Sequence, residues 1–314
     1  MINKKIDLIE QHFSDFAQNI ANLLNLIHTI KKSSDDTIKK LDESKINIDK
    51  FISNPNNDDE LKKYLGVSFR HFSLINPYTG ARESLTHRQT DILEQKRLSL
   101  NLKNKQYQWV FTDAYELFEN YIQIMYCCAG FIDGSFWPEK EYSKISAHDI
   151  DEKGLSCFME QVERKNDKPK SILKEFRKKI KGYADIECKN KARGSYTFII
   201  PLIARFRHII VHEGGCFNDK EKFVKDLFDK ENITKKDRKD ARSIIELFAA
   251  EVNGKDTIML LERPYGFGIA ATYMHLNRAE LLINIILEYS VIIKTELKDH
   301  FLEKYKDRIN PTMG

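Results

Sequence analysis

Apolar residues near the start of the chain recur at intervals of four and three: Ile2, Ile6, Ile9, Phe13, Phe16, Ile20, Leu23, Ile27 and Ile30. That spacing keeps one face of an α-helix apolar over about four heptads. Ser33-Ser34-Asp35-Asp36 follows, a run of residues favoured at helix N-caps, and predicts a break there. A second amphipathic helix then carries Ile38, Leu41, Ile48 and Phe51. The two helices either fold back as an antiparallel hairpin or the first pairs with its copy in another chain; the hairpin is the expectation. Leu8, Leu24 and Leu26 lie off the seam and imply contact with more than one helix.

Beyond a turn-rich linker at 53–59, a short helix reaches to Leu65, and residues 67–75 fit strand or helix. Asn76-Pro77-Tyr78-Thr79-Gly80 reads as a turn, and 84–104 as a polar helix. Aromatic density rises near residue 105, which divides the chain into an N-terminal helical region, 1–105, and a helical bundle, 106–314. Val110, Ala114, Leu117, Phe118, Tyr121, Ile122 and Met125 recur at helical spacing and predict a helix over 109–129. Further helices are expected at 155–164, 171–182, 217–229, 235–251 (capped by Thr234) and 273–300, with a turn at Asn253-Gly254 and a short strand at 257–261. The expected fold is all-α.

The segment richest in chemistry is Arg207-His208-Ile209-Ile210-Val211-His212, followed by Glu213-Gly214-Gly215. It reads as the end of a helix, with Pro201 in the first turn and the glycines at the stop. On such a helix His208 and His212 share a face. Arg207 projects beside them, and Ile209, Ile210 and Val211 turn mostly to the core. An arginine forks onto phosphate oxygens, and imidazole ordinarily gives or takes a proton near neutrality. Together they suit RNA cleavage without a metal; alternatively both are helix-surface groups. Glu116 and Glu119 either face this helix and hold Arg207 or a histidine, or lie in solvent. A shared metal ion on His208 and His212 lacks a third ligand in the sequence, and no H-E-x-x-H occurs. Phe206 is placed to line an RNA cleft or to sit in the core.

Arg207-His208-x-x-x-His212 resembles the signature of the HEPN superfamily: arginine, then Asn, Asp or His, three residues, and histidine. The aromatic-rich stretch 109–124, with glutamates near its middle, is similar to that family's long first helix. The resemblance spans about residues 105–300, and its specific part is the six-residue motif. It implies a small helical bundle and a metal-independent endoribonuclease of the toxin or phage-defence kind. It also implies a homodimer through the motif helices, with Arg207, His208 and His212 as catalytic residues. Other members of the superfamily only bind or dimerise. A non-catalytic module for dimerisation or nucleotide binding is therefore the alternative.

Composition adds limits. The chain has 314 residues, 41% hydrophobic and 31% charged, and its best apolar run, Tyr196 to Ile203, is short and cut by Pro201. No membrane span and no signal peptide are expected. The five cysteines form no C-x-x-C pair, so neither a disulfide framework nor a zinc knuckle is expected, and the cytoplasm is the expected compartment. Net charge is +4, but residues 164–193 alone hold twelve Lys/Arg against four Asp/Glu. This stretch is either a solvated lysine-rich surface or a polyanion guide toward the motif. In the second case Arg177, Lys178, Lys179, Lys181, Arg193 and Arg205 are the expected RNA-binding residues. The expected partners are RNA, a second copy of the chain and an inhibitory or sensor protein; no cofactor is expected.

Overall fold

The apolar seam of the N-terminus does not stop at Ser33. In the computed structural model, which describes residues 2–56, 58–62, 64–165, 168–192, 194–264 and 275–309, one helix runs Ile2–Ile52. The expected break and hairpin are thus corrected. Residues 33–36 include no glycine or proline to stop the helix, and local polar groups bond along it instead: Thr37 Oγ1 donates to the Ser33 carbonyl at 2.9 Å. The fold is predominantly helical, about 70% helix and 10% strand. Two compact units divide it: Met1–Leu26 with Gln108–Gly314, and Ile27–Tyr107. The long helices Ile2–Ile52 and Ile92–Ile132 contribute to both. The first heptads, expected with an N-terminal region, therefore group with the C-terminal part.

In the larger unit the N-terminal seam is used within the chain. Ile6, Ile9, Phe16 and Ile20 are buried, and Phe16 stacks on Tyr121 with ring centroids 4.5 Å apart. Glu10 pairs with Lys294 and Lys298 at 3.3 and 3.1 Å, so the helix Arg278–Lys304 lies alongside. Tyr121 itself donates to the Ser290 carbonyl at 3.0 Å. Short helices at Glu139–Tyr142, Ala147–Lys153 and Ser156–Glu163 follow the Ile92–Ile132 helix.

A fully buried carboxylate joins three further helices, Lys168–Lys179, Tyr183–Cys188 and Arg278–Lys304. Glu187, 0% exposed, accepts from Arg177 Nε and Nη2 at 2.6 and 2.9 Å and from the Tyr289 hydroxyl. Tyr183 Oη donates in turn to Tyr289 Oη at 3.0 Å. Burial pushes both phenols well above their ordinary range, so they remain hydrogen-bond donors. Arg177, expected on an RNA surface, has its fork occupied by Glu187.

The C-terminal part holds the main local departures from expectation. The helix expected over 235–251 spans Arg238–Leu247, because Asn253 and Gly254, at φ +53° and +74°, close a hairpin between Ala249–Val252 and Lys255–Ile258. Thr234 Oγ1 donates to Asp237 Oδ2 at 2.6 Å rather than capping a backbone amide. Arg263–Pro264 pairs with His275–Leu276. The final long helix begins at Arg278, capped by Asn277, which accepts from the Ala279 and Glu280 amides; the first residues of the helix expected from 273 lie outside the described residues.

In the smaller unit, Ser68–Ile75 and Arg82–Thr90 form an antiparallel hairpin around the Asn76–Gly80 turn. The polar helix expected from residue 84 is corrected: the strand runs to Thr90, and helix starts at Ile92. Asp91 Oδ1 there accepts from the Glu94 amide at 2.7 Å, an N-cap contact. Lys103–Asp35, at 3.2 Å, and Lys96–Asp42 tie the two long helices together within this unit. Among the described residues, no helix is long and apolar enough to cross a membrane, and all five cysteines are free.

Removing one side of the Glu187 network leaves a buried charge without its partner. Arg177→Ala is expected to lower unfolding free energy by about 3 kcal/mol, read from urea denaturation. A loss below about 0.5 kcal/mol, the size of an ordinary surface change, would show the pair to be dispensable.

Candidate functional site

The motif helix spans Tyr196–His212 behind Ser195 as N-cap. Pro201 therefore sits inside it rather than in its first turn, where it withholds an N–H from the Thr197 carbonyl. The surrounding packing holds the helix despite that loss: Phe198, Leu202, Ile203, Phe206, Ile209 and Ile210 are buried. Phe206 is 0% exposed and stacks with Phe223 at 6.2 Å, so it is core and lines no cleft. Val211, expected to turn inward, is 46% exposed.

The stop falls where the glycines predict it. Gly214 and Gly215 take φ +64° and +81°, and the Gly215 amide donates to the Ile209 carbonyl at 3.0 Å. Gly215 is needed for a second reason. A Cβ there would lie 2.6 Å from the side-chain nitrogen of Gln108. Gln108 donates to the Ile258 carbonyl at 2.7 Å, and the Ile258 amide donates to the Gly215 carbonyl at 2.8 Å. The end of the motif helix is thus closed onto the Lys255–Ile258 strand and the Ile92–Ile132 helix.

Seven residues before Gly215 along the chain, His208 emerges on the open side. His208 and His212 are both exposed, with ring centroids 4.6 Å apart and planes at 47°. Arg207 is half-buried beside them. Its Nη2 donates to Glu116 Oε1 at 3.1 Å, and its Nε is buried with no hydrogen-bond partner. Because Gln108 meets Gly215 while Glu116 meets Arg207, the two helices run antiparallel here.

Acidic groups shape the arginine end. Burial raises the Glu119 carboxyl above its ordinary range; Arg207 and a Tyr115 hydrogen bond work against that rise, and Glu116 adds to it. Asp113 is raised as well, by burial and by Glu116. Trp109, 61% exposed, lies on the same stripe of its helix as Asp113 and Glu116. Its phase, off the apolar positions 110, 114, 117 and 118, was the signal that separates it from the core aromatics.

The basic residues proposed from the sequence do not gather here. Lys178 and Lys181 are exposed and Lys179 donates to the Ser135 carbonyl at 3.0 Å, at the far end of the Lys168–Lys179 helix. Lys168, at its near end, is the one whose charge acts on Glu119, roughly 15 Å along the axis from Lys179. Arg205 is half-buried on the motif helix itself. Arg193 lies outside the described residues. Among the described residues, no group of three or more His, Cys, Asp or Glu is arranged to hold a metal ion.

Comparisons with protein-family models, with curated proteins and with solved structures find no match to this chain.

A carboxyl raised on folding stabilises the fold below its unfolded value and loses that contribution as pH rises through the folded value. Glu119→Gln is therefore expected to melt higher than the wild type at pH 7. The gain should vanish near pH 4, where both states are largely protonated, around the ordinary Glu value of about 4.3. Equal gains at both pH values would show that ionisation of Glu119 carries no such cost.

Proposed function

We propose that the chain is a metal-independent endoribonuclease of the HEPN kind, acting through Arg207 and His212. The observation carrying this reading is the open face on which Arg207, His208 and His212 stand together at the end of one helix. In the scheme, the ribose 2′-OH attacks the adjacent phosphate and the 5′-oxygen leaves. The products are a 2′,3′-cyclic phosphate and a 5′-hydroxyl. One proton leaves the 2′-OH and one reaches the 5′-oxygen; His212 handles one transfer. Arg207 balances the charge growing on the phosphate, releasing Glu116 to do so. His208, against the His212 ring, orients it.

A single histidine serves one proton transfer, so the second copy in a two-fold dimer supplies the other. Val211, one turn from Arg207, and Trp109, on the Glu116 stripe of the neighbouring helix, are exposed apolar groups that a self-complementary contact would cover. The same two residues favour the rival reading, an interaction module that dimerises or binds a nucleotide or regulatory protein without cleaving. A toxin or defence role follows from the family resemblance alone.

RNA cleavage in EDTA separates the two. Wild type is expected to cleave, leaving cyclic phosphates, and to spare RNA carrying 2′-deoxyribose at the scissile position. Arg207→Ala and His212→Ala are each expected to slow cleavage about 100-fold or more. Activity that EDTA abolishes, or that survives both substitutions, would sink the scheme. Dimerisation without any cleavage would favour the interaction module.

A further inference from the structure

The smaller unit carries an open cleft of about 680 Å³, within the range of small-molecule sites. Its walls are one face of the hairpin, with Ser68, Arg70, Phe72, Arg88 and Thr90, and the facing stretches of the two long helices. The pairing register explains the composition. Ser68 stands opposite Thr90, Arg70 opposite Arg88, and Phe72 opposite Thr86, so alternate residues of both strands point into the same space.

Directly opposed like charges destabilise a strand pair. Arg88 is offset by Glu94, at 2.6 Å, but Glu94 also serves Arg97, at 2.7 Å. Arg70 has no acidic partner among the described residues, so the cleft mouth carries excess positive charge. Deeper in, Ser34 is 8% exposed and its hydroxyl is buried with no hydrogen-bond partner. Such a group costs stability unless something meets it. Leu98 and Leu102 supply an apolar wall, and the Phe72 ring, 47% exposed, faces it from the hairpin.

We propose that this cleft binds a small organic phosphate with an apolar body. The phosphate sits between Arg70 and Arg88, where guanidinium forks match its oxygens. The body lies against Phe72, Leu98 and Leu102, and the Ser34 hydroxyl meets a polar atom of the ligand. The site is independent of the ribonuclease reading, since every residue in it belongs to the Ile27–Tyr107 unit.

Titration calorimetry on the full chain tests it with three probes: 1-naphthyl phosphate, 1-naphthol and inorganic phosphate. Naphthyl phosphate is expected to bind saturably, at least tenfold tighter than either fragment. Arg70→Gln, an exposed change, is expected to weaken it about tenfold, and Arg70→Lys to weaken it less. Ser34→Ala is expected to lower affinity while leaving the ligand-free melting temperature unchanged or raised, which separates ligand recognition from a folding defect. Non-saturable binding of naphthyl phosphate, or equal affinity in Arg70→Gln, would overturn the site. Inorganic phosphate binding as tightly as naphthyl phosphate would overturn the role given to the apolar wall.

Discussion

A carboxylate with no exposure to solvent sets a strict condition on its surroundings, and Glu187 is that group. Unpaired, it would cost several kcal/mol; the Arg177 fork and the Tyr289 hydroxyl offset this cost. Meeting that condition fixes three helices against one another. It also reaches the motif helix, because the Tyr196 ring packs 5.4 Å from Tyr289 and its hydroxyl donates to Glu288 at 3.1 Å. Tyr196 is the first residue of that helix. The end bearing Arg207 and His212 is held separately, by Gly215 closing onto Gln108 and Ile258. A helix fixed at both ends can keep its exposed side chains in one place without burying them.

Legibility in the sequence followed how local the cause was. The helix stop at Gly214-Gly215 was readable because only a left-handed backbone there satisfies the last carbonyls. The turn at Asn253-Gly254 was readable for the same reason, although the strand it forces on Ala249–Val252 was not, since those residues continue a helical pattern until the hairpin claims them. The N-terminal break failed because cap residues are permissive rather than compulsory. Ser33 to Asp36 stay helical when the seam continues through Leu41 and Ile48 on the same face. A start signal lies further on: Asp91 followed by Glu94 has the spacing of a capping box and marks where the Ile92–Ile132 helix begins.

The site divides in the same way. His208 and His212 were legible as one face from their spacing alone. Glu116 as the partner of Arg207 required two helices of unknown arrangement to lie antiparallel, which no local pattern specifies. Charge density misled for a related reason. The basic stretch was counted along the chain, whereas the fold places Arg177 in the core network and Lys179 beside Ser135. Lys168, from the same stretch but at the opposite helix end, is the cation that acts near Arg207.

The Glu116 contact bears on how the proposed chemistry would begin. Glu116 is 53% exposed in its side chain and Arg207 26%, and an ion pair open to water on one side contributes about 1 kcal/mol or less. A phosphate oxygen can take Nη2 in place of the Glu116 carboxylate, a charge-assisted contact of the same kind as the one it replaces. The exchange therefore costs little, because the displaced Glu116 is already half-exposed and returns to solvent. Glu119 cannot leave as easily, since it is partly buried and Arg207 opposes the rise in its carboxyl. As the phosphate approaches, the negative field on Glu119 grows, and the same field draws a proton toward that carboxyl. In the proposed enzyme, substrate binding and protonation of Glu119 are thus linked, although Glu119 itself does not touch the substrate.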